Sequence, residues 1–394
     1  MTIGISWLGS IVNDAWGRDV KTRILILGAG FGGLELASLL SEALGEAVDV
    51  TLIDKSDHFM FGFSKLDIMF GHAKAADVRM PYRRFAKPGV RFRQEIITAI
   101  DPAARRVITN KGRYDADYLV VALGAEYDFA ATPGFAQVDE FYSVAGAEKL
   151  HDLPPRFDRG HALIGVCGAP YKCPPAPSEC ALMLHDYLER RGVRSSCTIS
   201  LVLPLSAPVP PSPETSKALL EAFAERGIDF QAGKRIVSID PTRRVATLQD
   251  GGELPFDLFL GVPAHRVPSV VEESDLAENG WVKVNPRTLE TSYPGVFAVG
   301  DGANTGTPKA GVFAERAAKA VASDIIARVR GGEGTQYDGF GTCYIEFGGG
   351  RIGKVEVDFF SGPHPTGAYY QPSVALRADK DEFGSSRRAR WFGM

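Results

Sequence analysis

The sequence predicts an α/β protein with two nested Rossmann-like dinucleotide-binding domains and a small C-terminal α+β segment. Three observations support this class. Residues 23–54 follow the order strand, glycine turn, helix, strand, and residues 161–203 repeat that order. Residues 293–304 then form a third apolar strand that ends in Gly-Asp. Strands that alternate with helices in this way form parallel sheets covered by helices.

The order of these elements predicts the domain boundaries. The chain has 394 residues, and at about 150 residues per domain this length corresponds to two or three domains. We expect an N-terminal extension over 1–21, a first dinucleotide-binding domain over 22–150 and 290–334, a second Rossmann-like domain over 151–289, and a C-terminal segment over 335–394.

The composition limits which partners and which cellular location we expect for this protein. Hydrophobic residues make up 45% of the chain, charged residues 23%, and the net charge is −4. The sequence lacks the basic stripe that is typical of nucleic-acid-binding proteins, so we expect no nucleic-acid partner. The apolar runs have the length of strands, so no transmembrane helix is expected. The N-terminus lacks the basic region and cleavage site of a signal peptide. We therefore expect a cytoplasmic protein, either free or peripheral on the inner face of the membrane, and leave open a homo-oligomer.

The first glycine turn has the spacing of a dinucleotide site. Gly28, Gly30 and Gly33 form GxGxxG between a strand and a helix, where glycine allows a diphosphate to approach the helix N-terminus. Asp54 follows 21 residues after Gly33, at the place of an acid that binds the ribose hydroxyls, and Lys55 beside it is assigned to the same site. The alternative is a glycine-rich turn without a ligand.

Two later segments specify the cofactor through a resemblance. VVALGAEYD (120–128), with Gly124, and FAVGDGAN (297–304), with Gly300 and Asp301, follow the first turn in order along the chain. Together the three resemble the FAD-dependent pyridine nucleotide–disulfide oxidoreductase superfamily, although a Leu replaces the usual Thr in the second segment. The resemblance implies FAD, with Asp301 bound to the ribitol. Asp301 is also suited to a helix N-cap.

The helix after this motif begins with a candidate flavin-binding cation. GTPKAGVFAE (306–315) resembles the helix start that lies under the flavin pyrimidine edge in this superfamily. The resemblance implies that Lys309 stabilises negative charge on the reduced flavin. The alternative is an ordinary surface lysine.

The second βαβ unit lacks a phosphate-binding loop. In the superfamily this unit normally binds NAD(P)H with its own GxGxxG, but here only Gly165 and Gly168 remain. Pro174, Pro175 and Pro177 occupy the loop, and proline has no N–H to donate to a phosphate. We therefore expect NAD(P)H to be a poor reductant.

A cysteine loop stands in its place. YKCPPAPSE resembles the loop of sulfide:quinone oxidoreductases and of the flavocytochrome c sulfide dehydrogenase flavoprotein, and it aligns Cys173 and Glu179 with residues of these families. Cys343, in FGTCYIEFG, matches their second redox cysteine. The resemblance implies that sulfide, or a small thiol or persulfide, reacts at Cys173 and Cys343 and that FAD passes two electrons to a quinone.

Other features of these residues follow from general chemistry. A helix N-terminus favours a thiolate, so the helix that follows Cys173 should lower its pKa. Glu179 is suited to moving protons, or is simply an acid in a first helical turn. Cys167, Cys180 and Cys197 are expected to be structural, since buried cysteines usually are, and no Cys/His cluster has zinc spacing. No cysteine precedes residue 167, which argues against the three-cysteine cycle of some relatives.

Three other functions compete with this one. A sulfide dehydrogenase would pass electrons to a cytochrome, a type II NAD(P)H:quinone oxidoreductase would need the missing phosphate loop, and a flavin-bearing scaffold would not need paired cysteines. The tail, residues 379–394, mixes aromatic and basic residues. That composition suits contact with a membrane interface or a quinone pocket, and equally a tail docked on its own protein.

Overall fold

The computed structural model describes residues 21–151 and 156–394. Apart from Lys21, the predicted N-terminal extension lies outside the described residues. Within the described ranges, no helix is both long enough and apolar enough to cross a lipid bilayer.

The first part of the chain contains ten strands and three helices among its described residues. They are β1 (Thr22–Leu27), α1 (Phe31–Leu44), β2 (Val48–Asp54), β3 (His58–Phe59), α2 (Ser64–Met69), β4 (Met80–Pro81), β5 (Val90–Gln94), β6 (Ile97–Asp101), β7 (Arg106–Thr109), β8 (Arg113–Asp115), β9 (Tyr118–Val121), β10 (Glu126–Asp128) and α3 (Val144–His151).

The middle part contains the second βαβ unit and its hairpins. Its elements are β11 (Gly160–Val166), α4 (Ala176–Arg190), β12 (Cys197–Leu203), α5 (Pro213–Glu225), β13 (Ile228–Ala232), β14 (Ile236–Asp240), β15 (Val245–Leu248), β16 (Glu253–Pro255), β17 (Leu258–Val262), β18 (Ala264–Arg266), α6 (Ser269–Glu272), β19 (Ala277–Glu278) and β20 (Trp281–Lys283).

The last part contains a long helix, an antiparallel sheet and a terminal helix. Its elements are β21 (Val296–Ala298), β22 (Ala303–Asn304), α7 (Gly311–Arg330), β23 (Phe340–Glu346), β24 (Ile352–Asp358), β25 (Thr366–Ser373) and α8 (Leu376–Phe392).

Two parallel sheets form the body of the protein, which confirms the predicted α/β class. The first has the strand order β21–β9–β1–β2–β5, so β21 joins it after the whole second unit has been completed. The second has the order β13–β12–β11–β17. The exact domain boundaries stay a prediction.

The apolar runs of the sequence form strands that are buried on both faces. In β1, Ile24 and Ile26 pack into one core cluster while Leu25 and Leu27 pack into another. Successive side chains of a strand point to opposite faces, so a strand covered on both sides needs a continuous apolar run. Helices α1 and α7 pack against each other and bring the glycine turn close to the segment that follows β21.

The C-terminal strands β23, β24 and β25 form an antiparallel sheet. Strand β23 contacts both α4 and α7. This packing brings a strand from the end of the chain beside the helix that follows the cysteine loop.

The tail is a helix docked on its own protein, which is one of the three alternatives that its composition allowed. Trp391 in α8 is 1% exposed, and its ring centroid lies 5.6 Å from those of Phe31 and Phe59. Arg387 pairs with Glu315 at 3.0 Å, and Arg390 also has carboxylate partners. The aromatic and basic residues that suited a membrane interface therefore make contacts inside the protein.

Candidate active site

The three glycines of the first turn are required for three different reasons. Gly28 has a φ of +99°, and a Cβ there would lie 2.4 Å from the Ala122 carbonyl oxygen. A Cβ on Gly33 would lie 1.9 Å from the carbonyl oxygen of Gly28. A Cβ on Gly30 would meet no protein atom within 4 Å. Packing thus explains two of the glycines, while Gly30 leaves open the space that a diphosphate needs.

This turn opens into a cavity of about 390 Å³. Its walls combine segments that are far apart in sequence. Of the residues predicted to form the site, the lining contains Gly28, Gly30, Asp54, Gly124, Cys173, Glu179, Gly300, Asp301 and Lys309. One elongated cleft therefore joins the dinucleotide turn to the cysteine loop, an arrangement that fits FAD.

Asp54 and Lys55 occupy different surroundings. The Asp54 carboxylate accepts the backbone N–H of Ala29 at 2.8 Å and that of Ser56 at 2.8 Å, so it supports the glycine turn while it lines the cleft. Lys55 is not among the cleft residues. Its side chain is 67% exposed and pairs with Glu126 at 3.0 Å. The structure does not bring Lys55 to the cleft, because it follows the last residue of β2 and its side chain turns towards solvent and Glu126.

Lys309 is buried, not a surface lysine. It is 6% exposed, donates to the backbone oxygen of Asp301 at 2.7 Å, and its ammonium lies 3.5 Å from the centroid of the Trp281 ring. Burial lowers the pKa of Lys309 to about 8 and raises the pKa of Asp301. A lysine fixed in this way at the start of α7 is suited to a site where negative charge develops.

The loop after β11 faces the first domain. Cys173 donates its backbone N–H to the Lys309 oxygen at 2.7 Å. The two glycines at the end of β11, where a second GxGxxG would stand, are explained by close packing. A Cβ on Gly165 would lie 2.1 Å from Ile236, and one on Gly168 would lie 2.9 Å from Ala264. Neither leaves open space of the kind found at Gly30. The place of a second phosphate loop is therefore taken by a wall of the first cleft.

Cys173, Cys343 and Glu179 form one cluster. Glu179, in the first turn of α4, is 4% exposed and accepts the backbone N–H of Glu346 at 2.9 Å, three residues after Cys343 on β23. Both cysteines are free thiols. Each is close enough to Glu179 that the charge of this carboxylate raises the pKa of the thiol. Cys173 has a φ of +50°, a conformation that is uncommon for a residue other than glycine.

Burial reverses the expected pKa of Cys173. The helix after the loop was expected to favour the thiolate, but desolvation raises the pKa of Cys173 strongly, and Glu179 and Cys343 raise it further. Desolvation also raises the pKa of Cys343 to about 12 and that of Glu179 to about 7. The neutral forms of all three groups are favoured because charge is costly in a dry site.

A comparison with known protein families identifies the family of this chain. The family model described as "pyridine nucleotide-disulphide oxidoreductase" matches residues 22–321. The chain belongs to this family. It is therefore an FAD-dependent oxidoreductase, and the cleft with the glycine turn is where its residues fit the cofactor.

Individual relatives resemble this oxidoreductase over most of its length. The mitochondrial sulfide:quinone oxidoreductase of Mus musculus is 26% identical over 369 residues, which cover 87% of this chain and 80% of the relative. The sulfide-quinone reductase of Aquifex aeolicus is 28% identical over 336 residues, which cover 78% of this chain and 77% of the relative. A solved structure of the Aquifex aeolicus sulfide:quinone oxidoreductase superposes with a TM-score of 0.80 at 24% identity and covers 94% of this chain and 91% of that one.

The oxidoreductase has site residues that sequence reasoning missed. Lys65 and Lys172 line the cleft, and Lys380 and Arg377 bind Glu346 at 2.6 Å and 3.0 Å. Lys172 had a signal, since it directly precedes the cysteine. The others had none, because their contacts join α2 and α8 to distant segments.

The remaining cysteines are in the core of the oxidoreductase. Cys167, Cys180 and Cys197 are 4%, 0% and 3% exposed. None of the three lines the cleft. Their burial among apolar side chains is consistent with a structural role.

Proposed function

We propose that this oxidoreductase takes two electrons from hydrosulfide, or from a related small sulfur compound, and delivers them to a quinone. One observation carries the proposal: Cys173 and Glu179 line the cleft that fits FAD, and Cys343 is close enough to both to act on the pKa of Cys173 and to feel the charge of Glu179. The names of the relatives, sulfide:quinone oxidoreductases, support the same substrates.

The proposed reaction takes place at the sulfur atoms of the two cysteines, and its bonds, protons and electrons are all accounted for. The two free thiols first form a Cys173–Cys343 disulfide, with loss of two protons and of two electrons that FAD would accept. Hydrosulfide then attacks this disulfide, which breaks the S–S bond and leaves a persulfide on one cysteine and a thiolate on the other. When the thiolate joins the outer sulfur of the persulfide, a bridge one sulfur longer forms, and one proton and two electrons leave. FAD supplies the two-electron acceptor. A small thiol or similar nucleophile then removes the extra sulfur and restores the disulfide.

Glu179 is the candidate acceptor of the released proton. Its pKa of about 7 lets it both accept and release a proton near neutral pH. The backbone N–H that Glu179 accepts belongs to Glu346, whose carboxylate binds Lys380 at 2.6 Å. Glu179 is therefore next to an ion pair near the start of α8.

A second cavity is the candidate quinone site. It measures about 730 Å³, lies between α7, β23 and α8, and includes the rings of Phe340, Tyr344 and Phe383 in its lining. The Phe383 ring centroid lies 6.3 Å from that of Phe31 and 6.4 Å from that of Phe63, and both of these rings line the first cleft. Phe383 therefore connects the lining of this cavity to two rings that line the first cleft, which supports placing the quinone here.

Anaerobic reduction of the purified flavoprotein tests the proposal. Sulfide should bleach the flavin absorbance near 450 nm, and a quinone should restore it. Cys173→Ser and Cys343→Ser should each keep FAD but lose bleaching by sulfide, because serine is not a comparable nucleophile and holds no sulfane sulfur. Wild-type rates in both variants would end the proposal. Fast stoichiometric bleaching by NADH would support the type II NAD(P)H:quinone oxidoreductase instead.

A further inference from the structure

Three lysines line the first cleft, and two of them have close partners. Lys172 donates to the backbone oxygen of Ala125 at 2.8 Å, and its ammonium lies 4.2 Å from the centroid of the Tyr127 ring. Lys309 is held by the Asp301 oxygen, as described above. Hydrogen bonds to fixed carbonyls explain why these two amines are positioned where they are.

The third lysine, Lys65 in α2, has no comparable partner. Among the residues that the structure describes, its amine makes one hydrogen bond, a long contact of 3.5 Å with the Tyr127 hydroxyl. No carboxylate of the described ranges lies within ion-pair distance of Lys65. Burial lowers its pKa to about 8, so it is mostly protonated at pH 7. The side chain is half-buried and lines the cleft, and a cation partly removed from water without a protein counterion favours an anion beside it.

The surroundings of Lys65 identify that anion. The charged and titratable groups that act on it are Lys172, Glu140, Cys173 and Asp301, and His265 is also within its field. Lys65 and Cys173 line the same cavity. Lys65 is the cation whose charge lowers the pKa of the Cys173 thiol.

We propose that the Lys65 ammonium is the cation of the sulfur site, where it stabilises the Cys173 thiolate and holds the incoming hydrosulfide. The identity of the incoming ion rests on the proposed function, while the effect on Cys173 does not. Hydrosulfide and a thiolate are both compact sulfur monoanions, so one ammonium group can serve both in successive steps. Lys65 thus lowers the pKa of Cys173 against the larger raising effects of burial, Glu179 and Cys343.

Alkylation of Cys173 measures this effect without any substrate. The full-length flavoprotein is reduced with a dithiol, freed of it anaerobically, and treated with iodoacetamide from pH 6 to pH 10; labelling of Cys173 is followed by peptide mass spectrometry. A nearby opposite charge favours the thiolate. Lys65→Met and Lys65→Gln should therefore each slow labelling at pH 7.5, by about tenfold for each unit by which the pKa of Cys173 rises. Lys65→Arg should label at nearly the wild-type rate.

Lys55→Met is the matched control, because Lys55 is exposed, pairs with Glu126 and lies outside the cleft. It should leave labelling unchanged. Bleaching by sulfide should slow in Lys65→Met and Lys65→Gln at least as much as labelling does, with FAD content unchanged.

Two outcomes would overturn the inference. Wild-type labelling in both neutral variants would show that Lys65 does not support the thiolate. Loss of FAD from both would assign Lys65 to the cofactor. If sulfide fails to bleach the wild-type flavin but the labelling result holds, the proposed function is wrong while the role of Lys65 towards Cys173 stands.

Discussion

Replacing Glu179 by Gln should change how stability depends on pH. The carboxyl ionises at about pH 7 in the folded protein instead of at the ordinary 4.5, because burial disfavours the charged form. The glutamine carbonyl oxygen can still accept the Glu346 N–H, which the carboxylate accepts at 2.9 Å. The variant therefore removes the titration and keeps the hydrogen bond.

The size of the effect follows from the two pKa values. Because the pKa of Glu179 is higher in the folded protein than in the unfolded chain, its contribution to stability is fully present below pH 4.5. This contribution is lost as the pH rises through 7. At about 1.4 kcal/mol for each factor of ten, wild type loses about 0.8 kcal/mol by pH 5 and about 3.4 kcal/mol by pH 8.5. The stability of Glu179→Gln relative to wild type should therefore rise by about 2.6 kcal/mol between these two pH values.

Urea unfolding at pH 5 and pH 8.5, followed by tryptophan fluorescence, measures this difference. Glu189→Gln is the control for the substitution itself, since Glu189 lies on the same helix with its side chain 58% exposed. Taking the difference between each variant and wild type removes the titration of all other groups. If Glu179→Gln shows the same difference at both pH values, Glu179 ionises normally and cannot be the proton acceptor described above.

Three further substitutions separate cofactor binding, tail docking and sulfur chemistry. Gly30→Val should fold but lose FAD, measured by the ratio of absorbance at 450 and 280 nm, because its side chain enters open cleft; Gly33→Val, which meets backbone at 1.9 Å, should fail to fold. Trp391→Ala should destabilise the protein by about 3–5 kcal/mol in urea, since its ring is buried and its N–H donates to Glu35 at 2.9 Å; a loss below about 1 kcal/mol would contradict docking of α8. Cys197→Ser should retain FAD and bleaching by sulfide, and loss of bleaching would make the cysteine assignment wrong.

Local patterns were enough to predict much of the fold. Helix α1 spans Phe31–Leu44, the segment in which the sequence predicts a helix, because its apolar spacing and the glycine turn before it are local signals. The strands β1 and β2 were equally readable as apolar runs. Lys65 could not be predicted in the same way, since nothing near it in the sequence shows that α2 turns its amine towards a loop more than 100 residues away.

The sequence by itself determined the α/β class, the glycine turn at Gly28–Gly33 and the loss of a second phosphate loop, because strand and helix periodicity and the chemistry of glycine and proline act within a few residues. The tertiary structure alone decided that Cys173 is a desolvated thiol, that α8 docks through Trp391, and that Lys65 faces the cleft without a close counterion. Burial and electrostatic fields are set by segments that meet only after packing, and no local pattern carries that information.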